Sequence, residues 1–229
     1  MEQNNIERLQ SIADGMNELN ERVTYVGGAV SELYVDDSAA ADSRPTNDVD
    51  CVVELMSYPE YIAFTDLLHQ KQFTEDNNQG APICRWLFKG EEVDIMPTDE
   101  KILGFTNRWY KPGVKERIEH LLPNGRTIYI MPLLYFIATK LEAINSRGGN
   151  DLRMSSDFED VIYVMNYCSY IIQRFQAETN TELKQYLSKE CNKLLKRNNI
   201  REEIECALPM GETERTDMIL EILTQIANQ

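Results

Sequence analysis

At Pro132 the sequence changes its period, and this limits the fold more than any other feature. Before it, short runs of β-branched and aromatic residues alternate with turns marked by glycine and proline. After it, apolar residues recur three and four apart, as in Ile137, Leu141 and Ile144, with no convincing strand. This pattern predicts an α+β fold, with a mixed β-sheet flanked by helices over residues 1–130 and a helical bundle over 131–229.

Within the front part, Ile6, Leu9, Ile12, Met16 and Leu19 predict an amphipathic helix over 3–20. Val23–Val26 reads as a strand ending at Gly27-Gly28, followed by a helix over 29–34 and a loop over 35–47. Strands are expected at 48–55, 83–89 and 91–96, the last two separated by Gly90, with a helix at 58–71. Two more short strands, 115–121 and 126–130, flank Pro123-Asn124-Gly125. Behind Pro132, helical spacing runs through 157–175, 181–196, 200–207 and 213–227.

Composition narrows the function classes. The 229 residues carry a formal charge of −15, most of it before residue 131, which argues against coating DNA or an anionic membrane. The five cysteines, at 51, 84, 168, 191 and 206, form no CxxC pair, so a zinc knuckle is excluded and a reducing, cytoplasmic setting is expected. Two histidines, His69 and His120, are too few for a histidine-built zinc site. The apolar stretch 128–138 is too short to span a bilayer, so no membrane partner is expected.

Residues two apart on a strand share a face, which sets Asp48 beside Asp50 while Val49, Cys51, Val53 and Leu55 face the core. The second strand repeats the alternation, with Asp94 between Val93 and Ile95. Three such carboxylates either form a solvated acidic face or hold a divalent cation, Mg²⁺ or Mn²⁺, that relieves a repulsion of about 1–4 kcal/mol per close pair. Glycines between strand and helix either make an ordinary turn or let a phosphate approach the backbone, with Ser31 able to add a hydroxyl.

The words Tyr-Val-Gly-Gly-Ala-Val (25–30), Thr-Asn-Asp-Val-Asp (46–50) and Val-Asp-Ile-Met-Pro-Thr-Asp (93–99), in that order, resemble the polymerase-beta-like nucleotidyltransferases. A second block, with Lys140, Glu142, Arg147-Gly148, Asp151, Asp157, Glu159 and Asp160, resembles the AbiEii/AbiGii toxin-like members. The resemblance covers roughly residues 22–165 and departs from the common pattern at Ala29, where serine is usual, and in the insertion at 35–43. It implies a nucleotidyltransferase-type sheet with Asp48, Asp50 and Asp94 as catalytic metal ligands, and Gly27, Gly28, Ser31 and Lys140 as nucleotide contacts. Arg147, Asp157 and Asp160 would support the site from behind, or lock two helices together by ion pairs. The implied activity moves a nucleoside monophosphate from a nucleoside triphosphate to an acceptor hydroxyl on tRNA or protein, as a toxin paired with an antitoxin protein. A small cationic acceptor such as an aminoglycoside, or a non-catalytic nucleotide- or partner-binding module, are the alternatives. Trp109 and Tyr110 fit core or lid packing better than base stacking, and Lys189, Lys193, Lys196 and Arg197 fit a solvated face better than an RNA contact.

Overall fold

The computed structural model describes residues 4–147 and 150–229; Gly148, and residue 3 of the expected first helix, lie outside them. The fold is α+β with a mixed seven-stranded sheet. Two compact units emerge: the chain up to Val30 with Pro45–Pro132, and Ser31–Arg44 with Leu133–Gln229. The expected division at 130/131 lies near one boundary, but the helical unit also takes in residues 31–44.

The first unit opens with α1 (Asn5–Met16), capped by a reciprocal pair: the Glu7 backbone N–H donates to Asn4 Oδ1, and the Asn4 N–H to Glu7. The helix is shorter than its apolar spacing predicts. It stops where Asn17 takes a positive φ of 49°, and the chain tightens into a 3-10 segment, Asn17–Arg22, that keeps Leu19 buried. The strands and helices that follow are β1 (Val23–Val26), β2 (Asp48–Val53), α2 (Tyr58–Gln70), β3 (Thr74–Glu75), β4 (Arg85–Phe88), β5 (Glu91–Pro97), α3 (Glu100–Leu103), α4 (Tyr110–Lys115), β6 (Ile118–Leu121) and β7 (Thr127–Ile130).

The sheet order is β3-β4-β5-β2-β1-β7-β6. At its centre β2 runs parallel to β5 and antiparallel to β1, with Asp50 opposite both Asp94 and Val26. The tight β4–β5 hairpin turns through Lys89 and Gly90, both at positive φ, and this two-residue connection sets Phe88 opposite Glu91 and hence Arg85 opposite Asp94. Val49, Cys51 and Val53 of β2 are buried as the alternation predicts, each aliphatic side chain contributing about 1.5–3 kcal/mol. Val52 is buried as well, so the far end of this strand is covered on both faces.

The second unit contains α5 (Leu133–Arg147), a 3-10 turn at Leu152–Met154, α6 (Ser156–Tyr167), α7 (Ile171–Ala177), α8 (Thr181–Leu195), α9 (Ile200–Ala207) and α10 (Thr216–Ala227). The expected helix at 157–175 is divided at 168–170, between α6 and α7. Ser155 and Asn180 accept from backbone N–H groups of Phe158 and Leu183, capping α6 and α8. Helix α5 packs on α6, and α8 on α10. Segment 31–44 is bound into this unit: the Ser43 hydroxyl donates to Glu32 (2.5 Å), the Ser169 hydroxyl to Asp36 (2.5 Å), Tyr163 to the Ala41 carbonyl and Tyr170 to the Tyr34 carbonyl (both 2.9 Å). Among the described residues, no helix is long and apolar enough to cross a membrane.

Candidate functional site

One face of the central sheet carries the acidic residues singled out in the sequence. Asp48 and Asp50 lie two apart on β2, Glu92 and Asp94 stand opposite them on β5, and all four therefore share a face. Strand spacing sets paired Cα atoms about 5 Å apart. Like charges so placed repel by a few kcal/mol at the effective dielectric of a partly buried site.

Arg85 reaches this face from β4. Its Nε donates to Asp94 Oδ1 at 2.8 Å, and its Nη2 to Asp94 Oδ2 at 3.0 Å and Asp48 Oδ2 at 2.7 Å. Nη1 lies 2.5 Å from Glu92 Oε2. One planar guanidinium thus bridges three carboxylates through its fork of five donors. The bond to Asp94, outweighing burial, raises the pKa of Arg85 further and keeps it charged. The residue was missed as a site residue, although the Gly90 hairpin places it opposite Asp94.

Gly27 meets the same cluster. It holds φ at +75°, and a Cβ built there would lie 1.9 Å from Asp50 Oδ2. The need for glycine at this position follows from Asp50 filling the space a side chain would use, a different cause from the expected phosphate contact. Gly28 is buried and opens a seven-residue 3-10 segment, Gly28–Tyr34, where an α-helix was expected. Ser31, on that segment, is fully buried. The structure thus places Gly27, Gly28 and Ser31 around the start of a 3-10 segment rather than of an α-helix.

Carboxylate oxygens are suitable donors for Mg²⁺ or Mn²⁺, and the shared face of Asp48, Asp50 and Asp94 fits such an ion chemically. Asp48 and Asp94 are held by Arg85, and among the described residues no three acidic, histidine or cysteine side chains are grouped as around a metal. Burial, with Asp50 and Asp94 close by, pushes the Cys51 thiol well above its usual range, and burial with Asp94 nearby raises Cys84 to about 12. Both thiols are inert at neutral pH.

The helical unit has its own charged cluster. Lys140 of α5 is buried, and its Nζ lies 2.6 Å from Asp160 Oδ2 and 3.2 Å from Asp157 Oδ1 on α6. Where a phosphate contact was expected for Lys140, the structure places its ammonium between two carboxylates that are themselves 2 % and 4 % exposed. Arg147 forks onto Asp157 at 3.0 and 3.2 Å, and Arg44 stands 3.5 Å from Asp160 and 3.6 Å from Glu159. Arg147, Asp157 and Asp160 thus form the helix-locking network. Burial alone would raise the pKa of Asp157, but the Arg147 bond and the nearby Lys140 charge outweigh it and hold the carboxyl below its usual range.

Other candidates fall away. Trp109 is buried, with the Arg108 guanidinium over its ring. Arg197 is engaged by Glu203 at 2.5 and 2.7 Å, and Lys193 pairs with Glu190. Lys189, Lys193 and Lys196 line a shallow depression on α8. No protein-family model matches the chain, and no curated protein sequence matches it.

Proposed function

We propose that the sheet unit is a metal-dependent nucleotidyltransferase centre that moves a nucleoside monophosphate from a triphosphate to an acceptor hydroxyl. The observation that carries this reading is the in-register pairing of Asp50 with Asp94 on parallel central strands, with Asp48 on the same face. Placing like charges side by side at the centre of a sheet costs stability, and a cation-dependent reaction gives that cost a use. In this reading Asp48, Asp50 and Asp94 hold Mg²⁺ or Mn²⁺, which supplies charge neutralisation at the reacting phosphate. Asp94, 8 % exposed, is the carboxylate best shielded from water and the one suited to take the acceptor proton. Arg85 lends a guanidinium able to grip a phosphate in two places. Catalysis is then orientation and charge compensation, without a covalent enzyme intermediate. The sequence resemblance points to tRNA or protein as acceptor, with an antitoxin as partner.

The Arg85 bridge supports a second reading, in which the acidic face is a structural ion-pair cluster and the chain binds a partner without chemistry. Incubation with Mg²⁺ and each α-labelled nucleoside triphosphate, with total tRNA or cell lysate, separates the two. Label on an RNA or protein band, absent with Asp50→Asn, is the expected result. No label with any nucleotide, with Mn²⁺ also tried and small cationic acceptors included, refutes the transferase reading.

A further inference from the structure

We propose that the helical unit carries a binding site for a small organic cation, an ammonium on an apolar body, in the cleft that α6, α7 and α10 form with residues 36–37. The inference is independent of the transferase reading and of the acidic sheet face.

The cleft measures about 500 Å³, within the range of small-molecule sites. Met165 of α6, Ile171 and Ile172 of α7, and Met218 and Ile222 of α10 give it apolar walls. Met218 is 37 % exposed, a flexible thioether at the surface that can adapt to an occupant.

Asn166 points to what the occupant must bring. It lines the cleft, is 3 % exposed, and its Oδ1 has no hydrogen-bond partner. The amide cannot be turned round, because its Nδ2 donates to Glu212 Oε2 at 2.8 Å and a carboxylate only accepts. A buried acceptor without a donor costs stability, and an N–H carried in by a ligand removes that cost. The charged residues of the lining then select a cation. Asp36 and Asp37 stand against one positive side chain, Arg215. Its Nη2 is committed to the Asn166 carbonyl at 2.8 Å and lies 3.5 Å from Asp37 Oδ2, while its Nη1 lies 3.6 Å from Glu212. The guanidinium is thus spent on the protein rather than offered to an anion. Asp36 is filled by the N–H and hydroxyl of Ser169, at 2.8 and 2.5 Å. Asp37 Oδ2, with only its long contact to Arg215, keeps acceptor capacity and supplies the counter-charge.

Calorimetric titration of the full chain with hexylammonium and with hexanoate, one apolar body under opposite charges, tests the proposal. Hexylammonium is expected to bind at least about tenfold more tightly than hexanoate. Met218→Lys sets a cation on the cleft wall and should weaken hexylammonium about tenfold. Ile62→Lys makes the same charge change on α2, at a residue 43 % exposed, and should weaken it less than about twofold. Asn166→Leu keeps the size of the side chain, removes the acceptor, and should weaken hexylammonium about fivefold. Absence of hexylammonium binding, equal affinity for the two probes, or equal losses in Met218→Lys and Ile62→Lys overturns the site. Unchanged binding in Asn166→Leu overturns the role of its Oδ1. Should that variant fail to fold, the comparison of Met218→Lys with Ile62→Lys, both at exposed positions, decides alone.

Discussion

The protein holds two clusters of acidic side chains, and they are compensated differently. In the helical unit, Asp157 and Asp160 are nearly inaccessible and are met by Lys140, Arg147 and Arg44, three cations that neutralise them together with Glu159. In the sheet unit, Asp48, Asp50, Glu92 and Asp94 share a face onto which Arg85 brings one guanidinium that spans three of them. The first arrangement is what holding two helices together requires. The second leaves negative charge gathered at a partly open surface, which burial and packing do not account for. Carboxylates joined by ion pairs across two helices act as a staple, whereas carboxylates gathered on one strand face at a partly open surface are candidates for chemistry.

Substitutions sharpen this contrast, beginning with the largest effect. Lys140→Met removes the shared cation and leaves two buried carboxylates facing one another, so the helical unit should lose about 3–5 kcal/mol by chemical denaturation. Gly27→Ala forces Asp50 aside and strains a positive φ, and a loss of about 2–3 kcal/mol is expected. Gly90→Ala, at φ +88° with nothing within 4 Å, should cost only about 1 kcal/mol. Equal losses at the two glycines would show that Asp50 does not press on Gly27.

The pH dependence follows from Asp157. Its carboxyl is held below its unfolded value, so its contribution is fully present above about pH 4 and is lost as pH falls through the lower folded value. Acid melts of Asp157→Asn should flatten in that window; an unchanged acid limb would show that the network does not couple to protonation. Smallest of all, Arg147→Ala should cost no more than about 1 kcal/mol, because that arginine is 72 % exposed and solvent screens its pair.

The legible part of the molecule was its local part. Val23–Val26 and the start of β2 follow from β-branched runs ended by glycine or proline-rich loops, and the facing of Asp48, Asp50 and Asp94 follows from strand alternation alone. What escaped depends on partners distant in sequence. Residues 35–43 read as an insertion, yet Tyr163 and Ser169 bind Ala41 and Asp36 into the helical unit through hydrogen bonds that no local pattern announces. Lys140 lies on the same helical side as Arg147, as the spacing indicates, but whether its ammonium meets a phosphate or a carboxylate depends on where α6 lies. The short helices α3 and α4 and the two-residue β3 offer too few residues for a period to show. Arg85 was readable in principle. The Lys89-Gly90 turn fixes the hairpin register, and counting back from it reaches Asp94.

The most direct measurement places Asp50→Asn and Asp160→Asn side by side, recording thermal stability and label transfer from a nucleoside triphosphate for each, well below both melting temperatures. Asp50→Asn should melt within about 1 kcal/mol of wild type or above it, having lost a repelling charge, and should transfer no label. Asp160→Asn should lose about 3 kcal/mol and, where folded, retain transfer. An Asp50→Asn protein that transfers label like wild type, or an Asp160→Asn protein that is as stable as wild type yet inactive, would contradict the assignment of one cluster to chemistry and the other to structure.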